Sequence, residues 1–378
     1  MTMVLNEEQR LLKMTVTELL QKHAPVASLR ALRDANDELG YSAEFWQQLV
    51  DMGIPSIVMP ACYGGLGFGF AGLGAVMEEM GRTLAASPLF ATVVLGASAL
   101  ELAGASHQQD LLPDIIAGKL TLALAVDENH HHNPLATAVT LTVASNELLL
   151  DGTKVFVLDG HSADKLLVVA RSMGNPGEEH GLSLVLLPRE TPGVDVQRTI
   201  LMDGRNAAKI QFNKVKLDSS ALVGSLNEGW PILQQVLDRG AICIAAEMLG
   251  GALEVFRLTM DYIKEREQFG VRIGSFQALQ HRSAQMYCQL EQCRTVILKA
   301  LSTLDEDSTD TPQLASMSKA MANQCYAHIS NEAVQMHGGM GITDDLDIGL
   351  YLKRARVSMQ ILGDTSYHQD RYARLMGY

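Results

Sequence analysis

Hydrophobic residues recur at helical spacing in the first third of the chain. Leu12, Val16 and Leu19 lie four and three positions apart, as on one face of an amphipathic helix. Asn6 precedes them and is a candidate N-cap, because its side chain can accept a backbone N–H of the first turn. The pattern predicts a helical N-terminal domain over residues 1–118.

The pattern changes near residue 120 to short runs of β-branched and aliphatic residues separated by Gly, Pro, Asn and Asp. The predicted strands cover 138–144, 148–150, 165–170 and 182–187. The pair Asp151-Gly152 lies between two apolar runs and predicts a hairpin turn. These signals indicate a small β domain over residues 119–223.

Long helical patterns resume after Gly229 and continue to the end of the chain. The predicted helices cover 232–266, 276–304, 312–337 and 346–363. Four long helices favour an antiparallel bundle over residues 224–378. Glycine and alanine residues between 240 and 252 would let another backbone or a flat ligand approach the first of these helices.

Composition narrows the classes of function. The net charge of −13 argues against a nucleic-acid partner or an anionic membrane surface, so an anionic ligand needs a local basic site. The N-terminus lacks the apolar core of a signal peptide and no uninterrupted apolar stretch is long enough to span a bilayer, which favours a cytoplasmic protein. None of the five cysteines forms a CxxC pair, so neither a disulfide framework nor a zinc site is indicated.

Two glycine-containing motifs lie at the ends of predicted bundle helices. Residues 266–270 read REQFG, and a plain interhelical turn with a glycine C-cap explains them as well as a binding role does. Residues 335–342 read QMHGGMGI, whose glycines expose backbone N–H groups that could face a phosphate. Each motif alone is weak evidence for a ligand site.

Together the two motifs resemble the acyl-CoA dehydrogenase family. Further landmarks of the resemblance follow in order, at 5–9, 63–67, 152–164 and 227–230. The resemblance implies an α+β acyl-CoA dehydrogenase fold, with an N-terminal helical domain, a central β-barrel-like domain and a C-terminal four-helix bundle. It also implies one FAD per complete site, an acyl-CoA thioester substrate that loses two hydrogens, and assembly as a homo-oligomer or with another family subunit.

The resemblance assigns cofactor contacts to eight residues. Arg266 and Phe269 correspond to residues that reach the FAD of a neighbouring subunit, with Arg266 at the pyrophosphate, which its planar donor fork matches. The remaining assignments are Gln277, Gln335, Gly338 and Gly339 for the pyrophosphate and adenine, Thr365 for the phosphates, and Phe156 for the flavin ring.

The catalytic base of that family is missing from its expected positions. The glutamate that normally precedes a Gly-Thr pair is replaced by Gly363, and Asp364 follows one residue later. The alternative base position, on the first bundle helix, falls on Gly240. Glu247 lies seven residues further, about 10.5 Å along a helix, and is expected to be a hydrogen-bonded core or flavin-edge carboxyl.

Other positions also depart from the family pattern. A Thr-Glu-Pro segment beside the flavin becomes residues 127–129, Asp-Glu-Asn, and a threonine at the flavin edge becomes Leu158. Residues 130–132 are three histidines, interpreted as a polar loop and not as a metal site. Arg354 matches a family arginine but is followed by Ala355 in place of aspartate, so surface and structural roles both stay open.

Three functional hypotheses follow. In the first, the chain is the base-lacking partner in a heteromeric acyl-CoA dehydrogenase, since residues 350–355 and 363–368 look similar to subunits of bacterial heteromeric enzymes. In the second, it is a self-sufficient homo-oligomer that uses Asp364 or another carboxylate as base. In the third, the fold serves a non-catalytic binding or assembly role.

Overall fold

The computed structural model describes residues 5–104, 106–144 and 147–378. The helices are α1 (Glu7–His23), α2 (Val26–Asp34), α3 (Ala43–Asp51), α4 (Gly69–Thr83), a π-helix (Phe90–Ala97), α5 (Ser98–Ala103), α6 (Ser106–Gln109), α7 (Leu112–Ile116), α8 (Trp230–Glu265), α9 (Gln277–Asp305), α10 (Thr311–His337), α11 (Ile348–Ser358) and α12 (Thr365–Leu375). The strands are β1 (Leu122–Ala125), β2 (Thr140–Ala144), β3 (Glu147–Leu158), β4 (Lys165–Arg171), β5 (Leu182–Pro188), β6 (Val194–Ile200), β7 (Asn206–Asp218), β8 (Leu222–Val223), β9 (Glu267–Gln268) and β10 (Val271–Arg272). The predicted fold class is confirmed, with helical N- and C-terminal parts and a mixed sheet between them.

The N-cap prediction at Asn6 is confirmed. The Asn6 side chain accepts a hydrogen bond from the Gln9 backbone N–H at 2.8 Å, and the Gln9 side chain accepts one from the Asn6 N–H at 3.0 Å. This reciprocal pair is a capping box, which satisfies two donors that a helix start otherwise leaves without partners. It explains why α1 begins at Glu7.

The central sheet has the strand order β6-β7-β3-β2-β4-β5-β8, with β1 parallel to β4. Its hydrophobic core includes Leu150, Leu166 and Phe212. The predicted hairpin turn at Asp151-Gly152 is wrong, because both residues lie inside β3, where the pairing with β7 shifts register. Gly152 has a φ of +137°, which suits the irregularity of a β-bulge.

Two compact units make up the described chain. The first combines the N-terminal residues up to Ala31 with Phe68–Ala86 and Ala241–Tyr378, and the second combines Leu32–Gly67 with Ser87–Gly240. Each unit unites separate stretches of the chain. The three consecutive domains, with boundaries near residues 118 and 223, therefore stay a prediction.

Within the first unit, α9, α11 and α12 pack against α10. The predicted helix at 346–363 is too long, because α11 ends at Ser358 and α12 begins only at Thr365. A Cβ atom at Gly250 would clash with the carbonyl oxygen of Glu78, so glycine lets the backbones of α4 and α8 approach closely. None of the helices in the described ranges is long and apolar enough to cross a bilayer.

Candidate cofactor site and base position

The REQFG motif forms a small hairpin. Gln268 in β9 pairs with Val271 in β10, and the two residues between them, Phe269 and Gly270, have φ values of +57° and +75°. Positive φ at both central positions is the geometry of a tight two-residue hairpin turn. The Phe269 side chain is 91% exposed and approaches Phe276 edge-on, with 6.2 Å between ring centroids. A large aromatic residue held in a left-handed conformation and exposed to this degree suits a contact outside the chain.

Arg266 stands where α8 meets this hairpin. Its backbone N–H donates to the carbonyl of Tyr262 and its carbonyl accepts the N–H of Ile273, both at 2.8 Å. The side chain is exposed, and within the described part of the chain it has no ion-pair partner. A guanidinium on a fixed backbone without a carboxylate partner is available to an anion such as phosphate.

A ring stack brings the two glycine motifs together. Tyr262, one turn before Arg266, stacks on His337 with 4.1 Å between ring centroids, and His337 immediately precedes Gly338. The buried His337 donates from Nδ1 to the Ala333 carbonyl at 2.8 Å, and burial lowers the pKa of His337. A fixed ring therefore joins the ends of α8 and α10, a contact that no feature of the sequence indicated.

The glycine motif after α10 presents an open backbone. Gly338 has φ +61° and ψ −141°, a combination that only glycine adopts readily. Apart from the neighbouring residues in the chain, no described atom lies within 4 Å of a Cβ placed on Gly338 or Gly339. Gln335 and Gln277 are exposed on the adjoining helix ends. Open amides, amide side chains and a neighbouring guanidinium fit the pyrophosphate and adenine half of FAD.

The family base position offers no room for a side chain. Gly363 is buried with a φ of +109°, a conformation that L side chains rarely adopt. A Cβ there would clash with the ring of Tyr367 and lie 3.1 Å from Nε2 of His368. The space in which a glutamate stem would begin is therefore occupied by Tyr367.

Asp364 has a structural role as the N-cap of α12. Its carboxylate accepts the backbone N–H of Tyr367 at 2.9 Å, and its φ of −80° and ψ of −177° are extended. Thr365 is the first residue of the helix, and both residues are half-buried. Capping accounts for Asp364 without a catalytic function, and its assignment as a base stays a prediction.

Glu247 and Arg354 form a buried ion pair. Oε1 of Glu247 lies 3.3 Å from a terminal nitrogen of Arg354, and their side chains are 3% and 2% exposed. Arg354 also donates to the Leu84 carbonyl at 3.5 Å. A surface role for Arg354 is therefore wrong, and the expectation of a hydrogen-bonded core carboxyl at Glu247 is confirmed. Gly240, the alternative base position, is buried in α8.

A buried lysine organises the segment at residues 127–129 in the second unit. Nζ of Lys154 donates to the Val126 carbonyl and to the Glu128 carboxylate, both at 2.7 Å. The same carboxylate accepts the backbone N–H groups of Ala138 at 2.8 Å and Val139 at 3.0 Å. Burial lowers the pKa of Lys154 to about 8 although Glu128 opposes the shift. Sequence reasoning missed this lysine, although it lies in a stretch that carries the resemblance.

The histidine run divides into two parts. Nδ1 of His132 lies 2.8 Å from the Asp127 carboxylate, whereas His130 and His131 are exposed. The side chain of His132 is 2% exposed, so this histidine ties the loop to the end of β1. The contact with the Asp127 carboxylate fixes the position of the His132 ring.

Phe156 lies at an irregularity of β3. Its φ is +53°, and the pairing with β7 shifts register between Lys154 and Val157. A bulge re-aims side chains relative to the regular alternation of a strand. Phe156 and Leu158 are both half-buried. The assignment of Phe156 to the flavin ring stays a prediction.

Comparison with known proteins gives consistent matches along the chain. Acyl-CoA dehydrogenase domain models match at 6–119 (N-terminal), 123–215 (middle) and 227–377 (C-terminal). Mitochondrial isovaleryl-CoA dehydrogenase of Pongo abelii is 30% identical over 362 residues, 93% of this chain and 85% of that protein. Acyl-CoA dehydrogenase IpdE2 of Mycobacterium tuberculosis is 31% identical over 360 residues, 94% of this chain and 93% of that protein. The crystal structure of the ChsE4-ChsE5 complex from Mycobacterium tuberculosis matches with a TM-score of 0.90 and 26% identity, over 100% of both chains.

Proposed function

Because the chain belongs to the acyl-CoA dehydrogenase family of FAD-dependent oxidoreductases, we propose that it is the base-lacking subunit of a heteromeric acyl-CoA dehydrogenase. In this role it lends its adenine and pyrophosphate residues to an FAD whose flavin ring is seated in a catalytically complete partner. The substrate of the assembled enzyme is an acyl-CoA thioester, from which the α,β-dehydrogenation removes two hydrogens.

The single observation that carries this proposal is the occupied space at Gly363. A dehydrogenation of this type needs a carboxylate that removes the α-proton while FAD, when bound, accepts the hydride from the β-carbon. At Gly363 the ring of Tyr367 takes the place of such a side chain, and the neighbouring carboxylate of Asp364 is engaged as a helix cap.

The residues assigned to the cofactor in the first unit have in contrast the exposure that a binding role needs. Arg266 presents an exposed guanidinium, the backbone of Gly338 and Gly339 is open, and the Tyr262–His337 stack holds these features side by side. Phe269 is exposed at the hairpin tip, where a partner subunit can cover it. The combination of residues suited to bind the cofactor with a base position that lacks a carboxylate supports an enzyme in which a second subunit supplies the base.

The solved ChsE4-ChsE5 complex supports the same arrangement by analogy, because it joins two named chains and matches the whole length of this one. The partner of this chain is accordingly expected to be another member of the family. The alternative, a self-sufficient enzyme, would use Asp364 or another carboxylate as base, and the test below separates the two.

Replacement of Arg266 by alanine is expected to weaken FAD retention by the assembled protein. A charge-assisted hydrogen bond contributes about 1.5–3 kcal/mol, which corresponds to about 10- to 150-fold in affinity. Lysine at this position should restore only part of the loss, because it lacks the planar donor fork. The measurement is an FAD titration followed by flavin fluorescence. Arg272→Ala, on the other strand of the same hairpin, is the matched control, and equal affinity in both variants would remove the assignment of Arg266.

The isolated chain is expected to show no appreciable oxidation of a panel of acyl-CoA thioesters. The discriminating variant is Asp364→Asn, because asparagine retains the N-cap acceptor for Tyr367 but cannot take a proton. Robust turnover by the isolated chain that disappears in Asp364→Asn at unchanged FAD content would make Asp364 the base. If the chain purifies with neither bound FAD nor a flavoprotein partner, the result would instead favour a non-catalytic role.

A further inference from the structure

A fully buried lysine lies behind the base position. Nζ of Lys319, on α10, donates to Oδ1 of Asn323 at 2.7 Å, to the Ser358 carbonyl at 3.0 Å and to the Gly363 carbonyl at 3.2 Å. The carbonyl of Met359 lies at a longer 3.5 Å. An ammonium group has three N–H donors, and the three shorter contacts use all of them. The Lys319 side chain has no contact with solvent, since the residue is 0% exposed.

The two carbonyls held by Lys319 mark the ends of one segment. Ser358 is the last residue of α11, where helix carbonyls lack donor partners within the helix, and Gly363 lies just before the N-cap of α12. Because the peptide unit is planar and trans, fixing the Gly363 carbonyl on Lys319 turns the N–H of Asp364 to the opposite side. One cation therefore sets both the path of residues 358–363 and the direction in which α12 begins.

This ammonium is buried at a cost to stability. Burial lowers the pKa of Lys319 from 10.5 to about 7, and the Asp364 carboxylate offsets part of that shift. A pKa that is lower in the folded state means that the unfolded chain binds the proton more tightly, so the cost is fully present below about pH 7. The cost falls as the pH rises from about 7 toward 10.5, where the unfolded chain also loses the proton. A charge retained at such a cost fits a positioning role better than a stabilising one.

The other ionisable groups near the segment have their own partners. His368 donates from Nε2 to the Leu362 carbonyl at 2.9 Å. Arg371 donates to the Pro312 carbonyl and to the Ser316 hydroxyl at the start of α10. Among the described residues, Asp364 is the charged side chain that acts on Lys319.

We propose that Lys319 is the positioning residue for segment 358–365, and that its hydrogen bonds to the Ser358 and Gly363 carbonyls orient the Gly363 peptide and the start of α12 for use in the assembled site. The inference rests on the proposed function, because the segment contains the base position and Thr365, the residue assigned to the cofactor phosphates. The neutral amine keeps two N–H donors for the Ser358 and Gly363 carbonyls, and deprotonation removes the cost of a buried charge, so the closed segment becomes more stable as the pH rises.

The test is hydrogen exchange of the full chain, measured by mass spectrometry on peptides that cover residues 358–366 and corrected for the intrinsic effect of pH. In the wild type, protection of this segment is expected to rise at least about tenfold between pH 6 and pH 9, since opening returns Lys319 to water and the protonation that favours the open segment is lost progressively above about pH 7. Lys319→Met should show low protection at both pH values. Ser318→Ala is the matched control, because Ser318 is equally buried on α10 and its hydroxyl donates only to the Ala315 carbonyl.

Asp364→Asn supplies a second variant that does not remove the lysine. Loss of the carboxylate should shift the midpoint of the protection change to lower pH, because Asp364 raises the pKa of Lys319. A purely structural lysine would not produce this shift. Protection that is independent of pH in the wild type, or the same midpoint in Asp364→Asn, would overturn the proposal.

The readout needs neither FAD nor a partner subunit. A chain that shows the expected exchange pattern but retains no flavin with any partner would contradict the proposed function and leave the role of Lys319 in the segment intact. The reverse result, flavin retention in the assembly with no effect of Lys319→Met on exchange, would contradict the role of Lys319 alone.

Discussion

The Gly363→Glu variant of the isolated chain is expected to remain inactive toward acyl-CoA thioesters and to be less stable than the wild type. Its side chain would begin in the space of the Tyr367 ring, on a backbone with a φ of +109°. Backbone strain and overpacking together are expected to lower the free energy of unfolding by roughly 2–4 kcal/mol. Denaturant titration of the variant measures the loss, and a thioester panel measures activity.

Two further variants separate the causes of that loss. Gly363→Ala adds only the Cβ, so it should show most of the destabilisation. Gly349→Ala, in the first turn of α11, meets only the Thr343 carbonyl oxygen at 3.9 Å and should leave stability unchanged or slightly raised. Full stability of Gly363→Glu together with restored oxidation would show that Tyr367 moves aside easily, and the occupied space would no longer support the base-lacking role.

Arg354→Met is expected to lower the free energy of unfolding by about 3–5 kcal/mol, because it removes the arginine that pairs with the buried Glu247 carboxylate. Both side chains are nearly inaccessible to solvent, at 2% and 3% exposure, so water cannot replace the lost interaction. The change should be visible as a lower denaturant midpoint with an unchanged slope.

The double variant Arg354→Met with Glu247→Leu should recover part of this stability, since both members of the buried pair are then apolar. Arg374→Met is the matched control, because Arg374 forms its ion pair with Asp370 on the surface of α12, where both side chains are more than 60% exposed. The control should change the free energy of unfolding by less than about 1 kcal/mol. Equal losses in Arg354→Met and Arg374→Met would mean that the buried pair contributes nothing specific.

The order of helices and strands could be predicted from the sequence, because burial of one face imposes a periodicity that is visible in the residues themselves. The capping box at Asn6 was predictable for the same reason, since its partners lie within three positions. The hairpin expected at Asp151-Gly152 was wrong because the same dipeptide also suits a bulge, and only the pairing of β3 with β7 decides between the two.

The motifs of the candidate site are visible in the sequence, but their arrangement in space is not. The motifs around Arg266 and Gly338, and the absence of a glutamate at Gly363, are properties of the chain alone. The tertiary structure alone decided three contacts. They are the stack of Tyr262 on His337, the occupation of the base position by Tyr367, and the hydrogen bond from Lys319 to the Gly363 carbonyl. Local sequence determines backbone preference and hydrophobic pattern, whereas contacts between distant side chains depend on how helices pack and on which polar groups lose water in doing so.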